Sequence, residues 1–192
     1  MHNKKVLITG SCWFEMTGLW HALSEDGYDV YRAPFEYFCA PHAYDLTVVA
    51  LSAEKILGWG RYIPGIRALR KRVSGNVVVL VPNRLENLTV LQDVCPLYNG
   101  HESIDNIKQF LYSQLKKNKT VQKKFDMTLG QLRVLKNISN RNNPKRVYDR
   151  RMYYHQSCLV KNIGVKNLNI VRIAGLDKEI SSLDTIGTSI FV

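Results

Sequence analysis

Asn76–Val81, Asn-Val-Val-Val-Leu-Val, is the run that most limits what this chain can fold into. Its five apolar residues in a row leave no polar face, so a strand here must be covered on both sides, as strands of parallel sheets are. Val6-Leu7-Ile8, after two lysines, and Leu46-Thr47-Val48-Val49-Ala50-Leu51 have the same character. The expected strands are therefore Lys5–Thr9, Leu46–Leu51 and Asn76–Val81, with shorter ones at Tyr28–Arg32 and Leu97–Tyr98. Helical spacing marks the segments between and after them. Leu19, Trp20 and Leu23 align over Thr17–Asp26, which Gly27 stops; Ile63, Ile66, Leu69 and Val73 align over Tyr62–Val73 with Arg67, Arg70, Lys71 and Arg72 outside. Helices are also expected over Leu85–Val94 and Ile104–Leu115, and a loop or irregular helix over the aromatic, proline-broken Pro34–Tyr44. This alternation over residues 1–115 predicts an α/β fold built on a doubly wound parallel sheet, with a site at the carboxyl ends of its strands.

Charge divides the chain. The formal net charge is +11, yet residues 1–115 hold 11 Lys/Arg and 11 Asp/Glu, while residues 116–192 hold 16 and 5. A neutral unit joined to a polyanion-binding one is the expected arrangement, and a membrane surface or RNA would fit the charge as well as DNA. The four cysteines, Cys12, Cys39, Cys95 and Cys158, form no CxxC pair and each lies beside apolar residues. Four buried free thiols in a reducing cytosol are expected, with no zinc site and no disulfide frame. No apolar run is long enough to span a membrane, and the apolar start ends at Gly10, too short for a signal peptide. The expected location is the cytoplasm.

Lys116–Lys124 carries five lysines in nine residues and reads as an extended, self-repelling linker within 116–125. Thr128 is placed to cap a helix from Leu129 to about Ile138, with Leu129, Leu132, Leu135 and Ile138 on its inner face. Pro144 suits the first turn of a short helix, with Val147 inward and Lys145 and Arg146 outward. Arg150–Val165 reads as an amphipathic helix stopped by Gly164. Met152, His155, Leu159 and Ile163 share one face; Arg150, Arg151, Tyr153, Tyr154, Ser157 and Lys161 lie largely on the other. Cations, phenols and a small hydroxyl suit a DNA major groove; the plain alternative is a solvated basic surface. His155, on the apolar face with no acid or nucleophile near it in sequence, is expected to be a hydrogen-bonded core residue. Leu168–Leu176 is expected as one short apolar helix and Asp177–Val192 as a tail.

The same stretch resembles the recognition helix of the LuxR/FixJ (NarL-type) helix-turn-helix regulators. Arg151-Met152 stands for the Thr-Val of that family, His155 follows three positions on, Leu159 takes its Met/Ile slot, and Ile163, Val165, Lys166 and Asn167 complete the pattern. Upstream, Met127-Thr128-Leu129-Gly130-Gln131-Leu132-Arg133-Val134-Leu135 is similar to the Leu-Thr-x-Arg-Glu-x-x-Val-Leu opening of the domain. The resemblance covers about residues 126–176. One departure is the interval from Leu135 to Met152, shorter than the family's by roughly one and a half helical turns, which implies a truncated scaffold helix around Asn140–Pro144.

Residues 1–115 admit two readings. Ile8-Thr9-Gly10-Ser11 is similar to the opening of a dinucleotide-binding turn, but the next glycine is Gly18, and Trp13 and Phe14 between them would hold a pyrophosphate off the backbone. The size and order of elements resemble a response-regulator receiver domain. That family needs acidic residues after the first strand, an Asp ending the third, a Ser/Thr ending the fourth and a Lys ending the fifth. This chain offers Ser11-Cys12, Ala50, Val81-Pro82 and Asn99-Gly100, and Asp45 opens the third strand at the wrong end. The resemblance thus implies a pseudo-receiver with no catalytic residue, no phosphorylated residue, no metal ligand and no cofactor.

Together these resemblances imply a DNA-binding transcriptional regulator similar to the small bacterial auxiliary regulators of that group. Double-stranded DNA is the expected partner, contacted by Lys145, Arg146, Arg150, Arg151, Tyr153, Tyr154, Ser157, Lys161, Lys166 and Asn167. The receiver-like unit is expected to form a homodimer or a heterodimer with a related response regulator, away from any membrane. The alternatives are an anti-regulator that binds a related transcription factor with little DNA binding of its own, and a small nucleotide-dependent enzyme.

Overall fold

The computed structural model describes residues 3–35, 43–117, 125–139 and 150–187, with side chains through Ser181. Five strands form one sheet: β1 Lys5–Gly10, β2 Asp29–Pro34, β3 Leu46–Ala50, β4 Asn76–Val81 and β5 Leu97–Asn99. All neighbours pair in parallel, in the order β2-β1-β3-β4-β5, one of the two common doubly wound orders. The three apolar runs become its central strands, and every residue of β3 is buried.

Alternate residues of each strand face opposite sides, so the sheet needs two covers. Val6, Ile8, Leu46, Val48, Ala50, Val78 and Leu80 face α1 (Trp13–Glu25) and α3 (Ile104–Lys116), which supply Met16, Leu19, Leu23, Ile107, Leu111 and Leu115. Asp26 ties these two helices: Lys108 Nζ lies 2.6 Å from its carboxylate, which also accepts from the Tyr112 hydroxyl. On the other face Leu7, Val49, Val77, Val79 and Val81 join α2 (Ile63–Arg72) through Ile63, Ile66 and Leu69.

That second cluster continues into the C-terminal half: Val134, Leu135, Leu159, Ile163, Val171, Leu176 and Ile180 belong to it. These residues come from α4 (Leu129–Ser139), α5 (Arg150–Ile163), α6 (Leu168–Ile173) and α7 (Leu176–Gly187). Backbone hydrogen bonds dock the helices: Gly58 N–H donates to Ile173 O at 2.8 Å and Gly60 N–H to Ala174 O at 2.7 Å. A Cβ at position 60 would stand 2.8 Å from Ala174 O, so the approach requires glycine. Thr89 Oγ1 donates to Asn162 O, at the end of α5. Trp59 is fully buried beside this junction, and its indole N–H donates to Leu51 O at 3.4 Å.

Leu85–Val94 is not a helix but two short 3-10 turns, Asn83–Leu85 and Thr89–Leu91. Leu88 and Val90 would project from opposite sides of an α-helix, yet both are fully buried. The segment is clamped to α2 by Arg67, whose guanidinium makes two 3.1 Å bonds to Asp93 and donates to Val90 O at 2.7 Å. Leu168–Leu176 is divided by a turn at Gly175, where φ is 71°. The expected tail contains α7, with Ile180 buried and Asp177 accepting from Ser139 Oγ at 3.2 Å. Of the described thiols only Cys95 is buried; Cys12 and Cys158 are half-exposed. The loop expected around Pro34–Tyr44 falls largely outside the described residues, as do most of the lysine-rich linker and the helix expected after Pro144.

Two outcomes follow from this packing. Trp59→Ala should cost about 3–5 kcal/mol, read as a lowered urea midpoint of one cooperative transition monitored by far-UV circular dichroism. Burial pushes the Cys95 thiol up to about 12, so iodoacetamide at pH 8 should modify Cys12 and Cys158 in the native chain and reach Cys95 only after denaturation. Native alkylation of Cys95 at the pace of Cys158 would contradict the burial.

Candidate nucleic-acid interface

The interface is assembled by α4 and α5. Thr128 and Gln131 form a capping box: Gln131 N–H donates to Thr128 Oγ1 at 3.4 Å and Thr128 N–H to Gln131 Oε1 at 2.9 Å. The buried side of α4 is Gln131, Val134, Leu135 and Ile138, not the expected row from Leu129. Leu129 is 77% exposed. A strict i+3 row drifts by about 60° per step around a helix of 3.6 residues per turn, so Leu129 and Ile138 end on opposite sides.

Across from α4, Leu159 and Ile163 of α5 are fully buried. The His155 ring is half-buried and abuts Gly130, where any side chain would meet it; packing against α4 is the role the geometry assigns to it. Asn162 Nδ2 donates to Asp126 O at 2.8 Å and to Gln131 Oε1 at 3.4 Å, fastening the end of α5 to the start of α4. Gly164, with φ 79°, ends α5; its N–H donates to Val160 O at 3.0 Å, and the Val165 N–H reaches the same oxygen at 3.2 Å.

The opposite side of α5 is open. Arg150, Tyr153, Tyr154, Ser157 and Lys161 share one exposed stripe, flanked by exposed Arg151. No acidic residue lies in its first turn. Two arginines there oppose the helix dipole, which favours carboxylates at that end. The Tyr154 phenol is pushed above its ordinary value by its hydrogen bond with Cys158, one turn on, and stays a hydrogen-bond donor.

Lys166 and Asn167 are exposed at the start of α6. Asn167 is partly spent, because its side chain accepts the Ile170 N–H at 3.1 Å and caps α6. A cleft of about 640 Å³ between α5 and α6 brings Ser157, Lys161, Lys166 and Asn167 together. Of the ten expected contact residues, eight lie on α5 or beside this cleft; Lys145 and Arg146 lie outside the described residues.

The carboxyl ends of the strands hold a different chemistry, with no local signal in the sequence. Glu15, in the first turn of α1, reaches back to the end of β3. It accepts from Ser52 Oγ at 2.6 Å, Ala53 N–H at 3.2 Å and Ser52 N–H at 3.3 Å. Glu54 accepts from Ser11 Oγ at 2.5 Å and from the Tyr62 hydroxyl at 2.9 Å, with Arg61 at 3.4 Å. The Ser11 bond chiefly, with Tyr62 and Arg61 adding to it, holds its carboxyl below the usual range, although burial pushes the other way. His101 Nε2 lies 3.1 Å from Ser52 O and must carry the proton, since a carbonyl only accepts. Both glutamates sit off the strand ends where carboxylates were sought, so only the tertiary structure brings them in. Each is engaged by donors of its own chain. Among the described residues no group of three or more His, Cys, Asp or Glu is placed to hold a metal ion.

What the fold defines is a class: an α/β protein with a five-stranded parallel sheet, whose second face continues into a set of helices. A scan of the chain against protein-family models finds no match, and a search of curated proteins finds none. Among the described residues no helix is long and apolar enough to cross a membrane.

The capping box gives a direct check on the start of α4. Thr128→Ala should destabilise the chain by about 1 kcal/mol, measured by urea titration, while Thr128→Ser should stay near wild type. Equal stability of the two variants would remove the Thr128 hydroxyl from the cap.

Proposed function

We propose that the protein is a DNA-binding transcriptional regulator. On this reading α5 docks in the major groove, and the α/β unit is a pseudo-receiver that pairs with a second copy or with a related response regulator. The carrying observation is the exposed stripe Arg150, Tyr153, Tyr154, Ser157 and Lys161, opposite the fully buried Leu159 and Ile163. The confinement of the whole +11 excess to residues 116–192 agrees with it. The strand order agrees with a receiver-like unit, and Ala50 at the end of β3 agrees with one that takes no phosphoryl group. In this assignment Arg150, Arg151, Lys161 and Lys166 contact phosphates, while Tyr153, Tyr154 and Ser157 face base edges.

A second reading has its own support. Tyr153 and Tyr154 are 54% and 67% exposed, and paired tyrosines suit a protein interface as well as a groove. The chain would then be an anti-regulator, whose α5 binds a related transcription factor. Capture of such a regulator in the absence of DNA, lost in Tyr153→Ala/Tyr154→Ala, would favour it.

The deciding measurement is fluorescence anisotropy on mixed-sequence duplex DNA at several salt concentrations. Log affinity should fall with log salt by about 0.9 per phosphate contact. Arg150→Ala should flatten that slope by roughly one unit and weaken all sequences alike. Absence of binding at low salt would sink the regulator reading.

A further inference from the structure

We infer that Glu15 is a positioning residue for the α6–α7 turn, which it holds in place through the Ser52–Tyr62 connection. This goes beyond the proposed function and stands whatever α5 binds. The connection is held at both ends. At its start two main-chain amides and the Ser52 hydroxyl converge on the one Glu15 carboxylate, at 3.3, 3.2 and 2.6 Å. Ser52 is buried, so without Glu15 its amide and hydroxyl would need new acceptors away from bulk water. Glu54 continues the hold, reaching from the same stretch to Ser11 and Tyr62. At the far end Gly58 and Gly60 donate to Ile173 and Ala174 on either side of the α6–α7 turn. Trp59, between them, is anchored in the core and bonded back to Leu51 O. The segment has little slack, because its glycine backbone already lies against Ala174 and Gly175.

The arrangement works as a rigid link. Glu15 sits on α1, on one face of the sheet; the α6–α7 turn belongs to the cluster on the other face. The connection spans the distance between the two, hydrogen-bonded to Glu15 at one end and to the α6–α7 turn at the other. Such coupling runs both ways: loosening either end must loosen the other.

Hydrogen–deuterium exchange of the full chain tests it. In Glu15→Ala the Gly58 and Gly60 amides should exchange about ten-fold faster or more, together with Ser52 and Ala53, while Val78–Leu80 of β4 keeps wild-type protection. Faster exchange confined to Ser52 and Ala53, with Gly58 and Gly60 unchanged, would overturn the inference. Should Glu15→Ala not fold, Glu15→Gln sets an NH2 donor against one of the donors of Ser52 or Ala53 and should show the same change at both ends in smaller measure, and unchanged Gly58 and Gly60 beside faster Ser52 or Ala53 would again overturn the inference. The reciprocal variant, Gly60→Ala, drives a methyl against Ala174 O and should speed exchange at Ser52 and Ala53. Wild-type rates there would equally reject the coupling.

Discussion

A sheet whose central strands are apolar on both faces must be covered twice, and the rest of the molecule answers that requirement. α1 and α3 cover one face in the usual way. The second face receives α2, but the β4–β5 connection folds into 3-10 turns and gives no further helix. Leu85, Leu88, Val90 and Leu91 are nevertheless buried, in the cluster they share with α4, α5, α6 and α7. The C-terminal helices therefore do structural work for the sheet. Burial of this kind is non-directional; the backbone bonds from Gly58 and Gly60 add the direction, fixing which turn of the helices meets which loop.

Local pattern carried much of this. The Val-rich run of β4 has the same limits in sequence and structure, and β1, β3, α2 and α3 differ only at their ends. These elements were legible because period and burial agree within each of them. Pattern failed where burial comes from more than one side. Leu88 and Val90 have the composition of a helix and the surroundings of a buried loop. In α4 the i+3 row pointed at Leu129, while Val134, off that row, fills the core. α7 was missed because Ser181, Ser182, Asp184 and Thr185 dilute its apolar positions, and only packing of Leu176 and Ile180 makes the helix worthwhile. The exposed stripe of α5 was legible residue by residue, since one helical period decides it. The Glu15 and Glu54 networks were not, because their partners are distant in sequence and lie on loops.

The electrostatics of the two halves differ in kind. In the α/β half, charges are consumed in pairs: Arg67 with Asp93, Lys108 with Asp26, Glu54 with Arg61, and Glu15 with backbone amides. Such pairs are local fasteners, and their fields largely cancel beyond a Debye length. On α5 the cations share a stripe with tyrosines and a serine, and none of its residues is acidic. Cations clustered in the first turn of a helix oppose its dipole, so the stripe adds nothing to the stability of α5 by that route.

Pose matters as much as charge for such a surface. A stripe on one helix reads a partner only if the helix cannot roll, and α5 is restrained on three sides. His155 and Asn162 bear on α4 and the residues just before it. Thr89 and the carbonyl of Asn87 bear on its last turn and on Gly164, where any side chain would strike that carbonyl. The α6–α7 turn is held from Gly58 and Gly60. The His155 ring also meets Tyr154 of the stripe edge-on, with ring centroids 5.5 Å apart. Orientation is thus set mainly from the buried side. This also explains why the site is hard to read from a chain alone: the residues that would meet a partner are visible in one helical period, whereas those that aim them are glycines and carbonyls with no pattern of their own.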